Sequence, residues 1–198
     1  MSVFSNGAEY IVQRQAGRAR RHKLNMIIGG FFSGLGIQLL RLFTGIDSAL
    51  EPLSHQLQID DTWQAQDFAR ARKGVHLTKP KIRTDQKQLG AIESLLESKD
   101  AMLMRFLENP NLQEHETFTD LIWAVLHLKE EFATRMDIQS TDPEDQAHLR
   151  GDVYRAYVIL TEHWIGYMEH LKNNYPFLFA LALHRSPFNL PALEASST

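Results

Sequence analysis

Residues 142–176 read DPEDQAHLRGDVYRAYVILTEHWIGYMEHLKNNYP, and the spacing within them commits this part of the chain to helix. Asp142 suits an N-cap, Pro143 the first helical position, and Glu144 and Asp145 set negative charge at the positive end of the helix dipole. Leu149, Val153, Ala156, Leu160, Trp164, Tyr167 and Leu171 then recur at steps of three and four, a single apolar stripe along several turns. Asn173 and Asn174 close the helix, and Pro176 prevents its continuation.

Working backwards, Thr117 with Asp120 resembles a capping box, and Phe118, Leu121, Val125, Leu128 and Phe132 repeat the helical step. Ile122, Trp123 and Leu126 widen that face, which predicts cover on more than one side. A third helix is predicted from about Thr84 to Leu107, carrying Leu89, Ile92, Leu96, Leu103 and Phe106 and stopping at Asn109-Pro110. A short last helix spans Pro176–His184. These four predict a helical bundle over residues 84–188, with a mobile tail at 189–198.

The first half is less regular. Asp47, Leu50, Leu53 and Leu57 suggest a short helix, and Asp61-Thr62 can cap another from Trp63 to about Lys73. Residues 74–83 contain Gly74 and Pro80 without helical period and are read as a linker after an N-terminal part, 1–73. No alternation of period two is long enough for a sheet. The expected fold is therefore all-α, a C-terminal helical bundle preceded by an apolar, glycine-containing helix and short helices.

That apolar helix occupies about residues 24–43. From Leu24 to Leu40 there is no charged residue, and Arg14, Arg18, Arg20, Arg21 and Lys23 precede it. Basic residues ahead of an apolar helix favour an anionic membrane surface, with Phe31 and Phe32 as the apolar contact. Gly30 and Gly34 have the spacing that lets helices approach closely. The charge-free run is short for a span, and Arg41 follows it directly, so no span is expected.

Charge divides the same way. Residues 1–90 hold 13 Lys/Arg against 7 Asp/Glu, a balance of +6, and residues 91–198 hold 8 against 17, a balance of −9. Such asymmetry marks a basic part that meets an anionic surface, or two halves that pack on each other or on a second copy. Arg70, Arg72, Lys73, Lys79, Lys81, Arg83 and Lys87 form a second basic run, which keeps nucleic acid as the alternative partner. Neither run interleaves aromatics, and no helix-turn-helix signature stands out.

The chain has no cysteine, which excludes disulfides, thiolate metal sites and a cysteine nucleophile and fits a reducing compartment. The first seven residues show no charged region followed by an apolar core, so no secretory signal is expected. There is no phosphate-binding glycine loop, no Gly-x-Ser-x-Gly elbow, no His-Glu-x-x-His, and no paired Glu-x-x-His. His163 and His170 lie seven apart with Glu162 and Glu169 beside them, and His127 shares a face with Asp120 and Glu131. Two such helices could converge on a metal, but solvated polar faces account for the same spacing. The expectation is no metal and no cofactor; the alternative is a His/Glu metal-dependent enzyme, with His127, His163 and His170 as its candidate ligands.

Five segments carry a resemblance. They are Arg21-His22-Lys23-Leu24-Asn25-Met26-Ile27-Ile28-Gly29-Gly30-Phe31-Phe32-Ser33, LLESKDAML ending at Leu103, Phe106 to Leu112, Glu114 to Leu121, and Asn174 to Phe179. Together they resemble a group of uncharacterised bacterial helical proteins, some of which carry transmembrane or ion-channel-like regions ahead of the shared part. The resemblance covers most of residues 20–188 and implies a location rather than an activity. It departs from the group's pattern at Gly34, where relatives tend to have an acidic residue, and no long span precedes Arg21. The sequence thus predicts a non-catalytic accessory protein, cytoplasmic or peripheral on the cytoplasmic face of the membrane. Its partners would be a membrane protein or a second copy, and an anionic lipid surface.

Overall fold

The computed structural model describes residues 14, 15, 17, 23–83, 86–113, 115–134 and 142–188. The fold is all-α, and among the described residues the sole β feature is an isolated antiparallel bridge between Asp47 and Ile82. The helices are α1 Lys23–Ile46, α2 Leu50–Gln56, α3 Ala65–Thr78, α4 Gln86–Ser98, α5 Asp100–Leu107, α6 Pro110–Gln113, α7 Glu116–Thr134, α8 Pro143–Asn174 and α9 Pro176–His184.

α8 is the axis. Asp142 caps it as expected, its Oδ1 accepting from the Glu144 amide at 3.0 Å. The predicted stripe is buried except for half-buried Tyr167, and Tyr157, Val158, Thr161, Ile165 and Met168 are buried too. Residues on so many sides of one helix are covered because α1, α3, α7 and α9 all pack against it. In α7 the helical positions are buried as expected, but Trp123 is largely exposed, so the widened face does not reach that far. The predicted third helix is two: the backbone turns at Lys99, outside helical geometry, and Asp100 opens α5. The stop at Asn109-Pro110 holds, and Asn109 Oδ1 accepts from the Asn111 amide at 3.0 Å.

α1 is the single helix among the described residues long and apolar enough to cross a membrane by length and composition. Its inner face is nonetheless the core of this protein: Phe31, Phe32, Leu35, Leu39, Leu40, Phe43 and Ile46 are each 0–1% exposed. Phe32–Gly36 form a π-helical turn, a widened turn that shifts the phase of the residues beyond it. The Phe31 ring meets Phe32, Phe106 and Phe118 edge to face, with centroids 5.4, 5.8 and 5.4 Å away. Such edge-to-face geometry lets the positive rim of one ring meet the negative face of the next.

The predicted boundary at 74–83 is not a boundary. Residues 74–78 are the last turn of α3, whose true cap is Gln64 in a capping box with Asp67 rather than Asp61-Thr62. Lys79 then adopts φ +46°, a left-handed residue that ends the helix ahead of Pro80. The strand-like segment after it is tied to the end of α1: Ser48 N donates to Lys81 O at 2.9 Å, and Arg83 N to Ile46 O at 2.9 Å. Buried Asp47 accepts from the Lys81 and Ala49 amides, each at 2.9 Å. Burial and the Asp47 charge together raise the Tyr157 hydroxyl pKa. One continuous cluster of buried side chains runs from Leu24 to Phe188. N-terminal part and bundle therefore share a core, and the expected tail at 189–198 lies outside the described residues.

Candidate functional site

α9 has the composition of a buried helix, PFLFALALH, but not its position. Phe179 is its single fully buried residue, under a cation contact from Lys172 Nζ 5.4 Å above the ring. Phe177 is 83% exposed, and Leu178 and Leu181 are each more than 40% exposed. Alongside runs the outer face of α1, from Met26 through Ser33, Ile37 and Gln38 to Arg41. Between them lies a groove of about 400 Å³ floored by Tyr167, Phe32 and Ile37 and walled by Leu178, Leu181 and Ala182. It continues past Leu178 and Tyr167 toward Met26, Gly29 and Tyr175. Tyr167 stacks on Phe32 at 4.9 Å and 14°, and burial raises its hydroxyl pKa. Arg41 Nη2 donates to Arg185 O at 3.1 Å and sets a cation at one end, while exposed Lys23 stands near the other.

The membrane-contact residues expected from sequence are distributed otherwise. Phe31 and Phe32 are in the core, so lipid contact through these rings is closed to the folded chain. Arg14 and Lys23 are exposed, and Arg18, Arg20 and Arg21 lie outside the described residues. Of the paired glycines, Gly34 is a close approach: a Cβ there would fall 2.4 Å from Met102 Cε of α5. Gly30 is exposed with nothing within 4 Å of such a Cβ, so it makes no helix contact. Gly36 is crowded within its own helix instead, since a Cβ there would meet the Phe32 and Phe31 rings of α1 at 2.6 and 2.9 Å. Sequence reasoning missed α9 as a surface because apolar composition signals burial and carries no direction.

The histidines separate into two places. His163 Nε2 donates to Thr117 O at 2.9 Å and joins α8 to the first turn of α7. Burial holds its imidazole below the ordinary value. His170 Nδ1 accepts from Asn25 Nδ2 and from Asn174 Nδ2, both at 3.1 Å, tying α8 to α1. Both border a depression of about 360 Å³ with Arg72, His115 and Glu162. Arg72 Nη1 lies 2.7 Å from Glu169 Oε2, and His76 pairs with Glu162, which explains those carboxylates as links between α3 and α8. His163 and His170 thus serve packing. His127 stands elsewhere on α7, its Nε2 3.4 Å from Asp152 Oδ1 and 3.9 Å from Glu131 Oε1.

The second basic run loses part of its charge to intramolecular partners. Arg72 is held by Glu169, Arg70 lies 3.3 Å from Asp67, and Arg83 Nη2 donates to Gly45 O at 3.4 Å. This leaves less of a continuous phosphate-binding stripe than the sequence suggests.

The family described as "Uncharacterized protein MJ1433, C-terminal helical domain" matches residues 20–184. A relative from Methanocaldococcus jannaschii, the uncharacterized protein MJ1433, is 35% identical over 167 residues, which is 84% of this chain and 67% of the relative. That relative is archaeal, so the restriction of the group to bacteria does not stand. No solved structure matches the chain.

Proposed function

We propose, for a chain that belongs to the family of the MJ1433 C-terminal helical domain, a non-catalytic role in which the α1–α9 groove seats an apolar helix of a membrane-protein partner at the cytoplasmic membrane surface. The observation that carries this reading is α9 itself, a helix apolar on every side that leaves Phe177, Leu178 and Leu181 in solvent. Exposed apolar surface of this kind beside a groove marks a contact site, and an amphipathic or apolar helix in a groove is a recurrent recognition mode. Met26 to Arg41 is 15 helical steps, roughly 22 Å, enough for about four turns of a partner helix. Covering each large apolar side chain contributes on the order of 1.5–3 kcal/mol. Arg14, Lys23, Arg41 and Arg185 favour an anionic leaflet nearby, at about 1 kcal/mol for each residue that reaches it.

The test uses the full chain with a photo-crosslinking residue in place of Leu178, mixed with native membranes. A discrete cross-linked membrane protein is expected, and it should not form when the crosslinker replaces Leu77, an exposed residue of α3 outside the groove. Sedimentation with phosphatidylserine vesicles at low salt should fall in Phe177→Ser/Leu181→Ser while the thermal transition stays intact. A cross-linked dimer would assign the groove to a second copy instead. No cross-link from Leu178 and no vesicle binding by the native chain would overturn the reading.

A further inference from the structure

α7 and α8 run antiparallel, with Thr117 opposite His163 near one end and His127 opposite Asp152 further along. One helical step of four on each helix then sets Glu131 of α7 against His148 of α8. His127 Nε2 is 3.4 Å from Asp152 Oδ1 and 3.9 Å from Glu131 Oε1. His148 Nε2 is 3.3 Å from Asp152 Oδ2 and 3.5 Å from Glu131 Oε2. One donor atom from each of the four residues lies within 4.8 Å of all the others. Four donors arranged tetrahedrally around an ion at about 2.1 Å sit about 3.4 Å from one another. Each imidazole nitrogen is therefore near that spacing from one oxygen of each carboxylate, and one donor atom per residue needs to draw in by little from within 4.8 Å to close around an ion.

A second observation concerns Asp152. Its side chain is 2% exposed, and Oδ2 accepts no hydrogen bond. Arg155, a turn along the same helix, reaches Oδ1 at 3.1 Å and leaves the second oxygen with only the exposed His148 imidazole near it. A carboxylate this buried is costly unless a cation or donor meets it. The oxygen that accepts no hydrogen bond is the one that faces His148. We infer that His127, Glu131, His148 and Asp152 bind one divalent transition ion of the Zn²⁺ class between α7 and α8. Two imidazole nitrogens beside two carboxylates suit such an ion better than Mg²⁺ or Ca²⁺, which prefer all-oxygen cages. The two histidines are about half exposed, so the ion is reached from solvent without opening the core. Leu128, Phe132, Leu149 and Val153, buried on the adjoining faces, hold the two helices at the required distance. The site is independent of the α1–α9 groove.

The experiment titrates the full-length chain, first stripped with chelator, with Co²⁺ and then Zn²⁺. One Co²⁺ per chain is expected, with the visible absorption of imidazole-ligated cobalt, displaced by one Zn²⁺ and accompanied by a rise in Tm. His148→Ala, at an exposed position, and Asp152→Asn should each weaken Zn²⁺ binding by more than the roughly 10–100-fold that loss of an outer-shell partner costs. His163→Gln, outside the cluster, should bind as the native chain does. Failure of the folded native chain to bind stoichiometric Co²⁺ or Zn²⁺, or binding unchanged in His127→Ala/His148→Ala, would overturn the site. Either result would leave Asp152 to Arg155 and the two imidazoles alone.

Discussion

Phe31→Ala separates a core ring from a lipid-facing one. Phe31 is fully buried and meets three other phenylalanines edge to face. Truncating a buried phenylalanine costs about 3–5 kcal/mol in transfer and cavity terms, within which its aromatic contacts each contribute about 0.5–1.5. A loss of about 4 kcal/mol is therefore expected, a large share of the roughly 5–15 kcal/mol that stabilises a typical domain. Unfolding entropy of about 2.1 cal/mol/K per residue, over 198 residues, gives about 0.4 kcal/mol/K and a fall in Tm of about 10 °C. Phe177→Ala removes an equally large ring that is 83% exposed, and should change stability by no more than about 0.5 kcal/mol. Calorimetry and urea titration in lipid-free buffer measure both. If Phe31→Ala melts with the native chain and loses vesicle binding, the ring faces lipid and the packing described for α1 is wrong.

The glycines of α1 should behave oppositely to one another. Gly30→Ala, in open space on an exposed helical turn, should raise the urea midpoint by the equivalent of up to about 1 kcal/mol, whereas Gly36→Ala should lower it, because its Cβ would press on two rings fixed in the core. His163 gives a pH dependence with a definite sign. Burial depresses its folded pKa, so the unfolded chain takes up the proton first; its contribution is complete above the unfolded value of about 6.5 and is lost as pH falls below that. Urea stability should therefore decline more steeply from pH 7 to pH 5 in the native chain than in His163→Gln.

Much of the fold is legible from local pattern. The Asp142 cap, the stripe of α8, the apolar positions of α7 and the bounds of α9 rest on caps and on residues three and four apart, and these act within a turn or two of the chain. Where the pattern misleads, the deciding partner is remote. Residues 74–83 carry Gly74 and Pro80 and look like a linker, but Gln56 packs against Gly74, and the ends of α1 and α3 are joined through Asp47 and Lys81. The apolar run 24–43 has the composition of a membrane helix, and whether its phenylalanines meet lipid or other rings depends on Phe106, Phe118 and Tyr167, which are far away in sequence.

The histidines follow the same division. Sequence placed His127 with Glu131 on one face of α7 and singled out His163 and His170 on α8, since spacing identifies which side chains share a face. It could not say that His163 would be taken up by the Thr117 carbonyl and His170 by two asparagines, or that His148 and Asp152 would be the side chains facing His127. Register between two helices is set by how their apolar ridges interlock along the whole contact, and no single segment contains that information. Helix, cap and amphipathic face are properties of neighbours along the chain, and so the sequence alone determined them. The core position of α1, the exposure of α9 and the meeting of four ligand-bearing residues were decided by tertiary packing, because each is a distance between residues that only the closed core brings together.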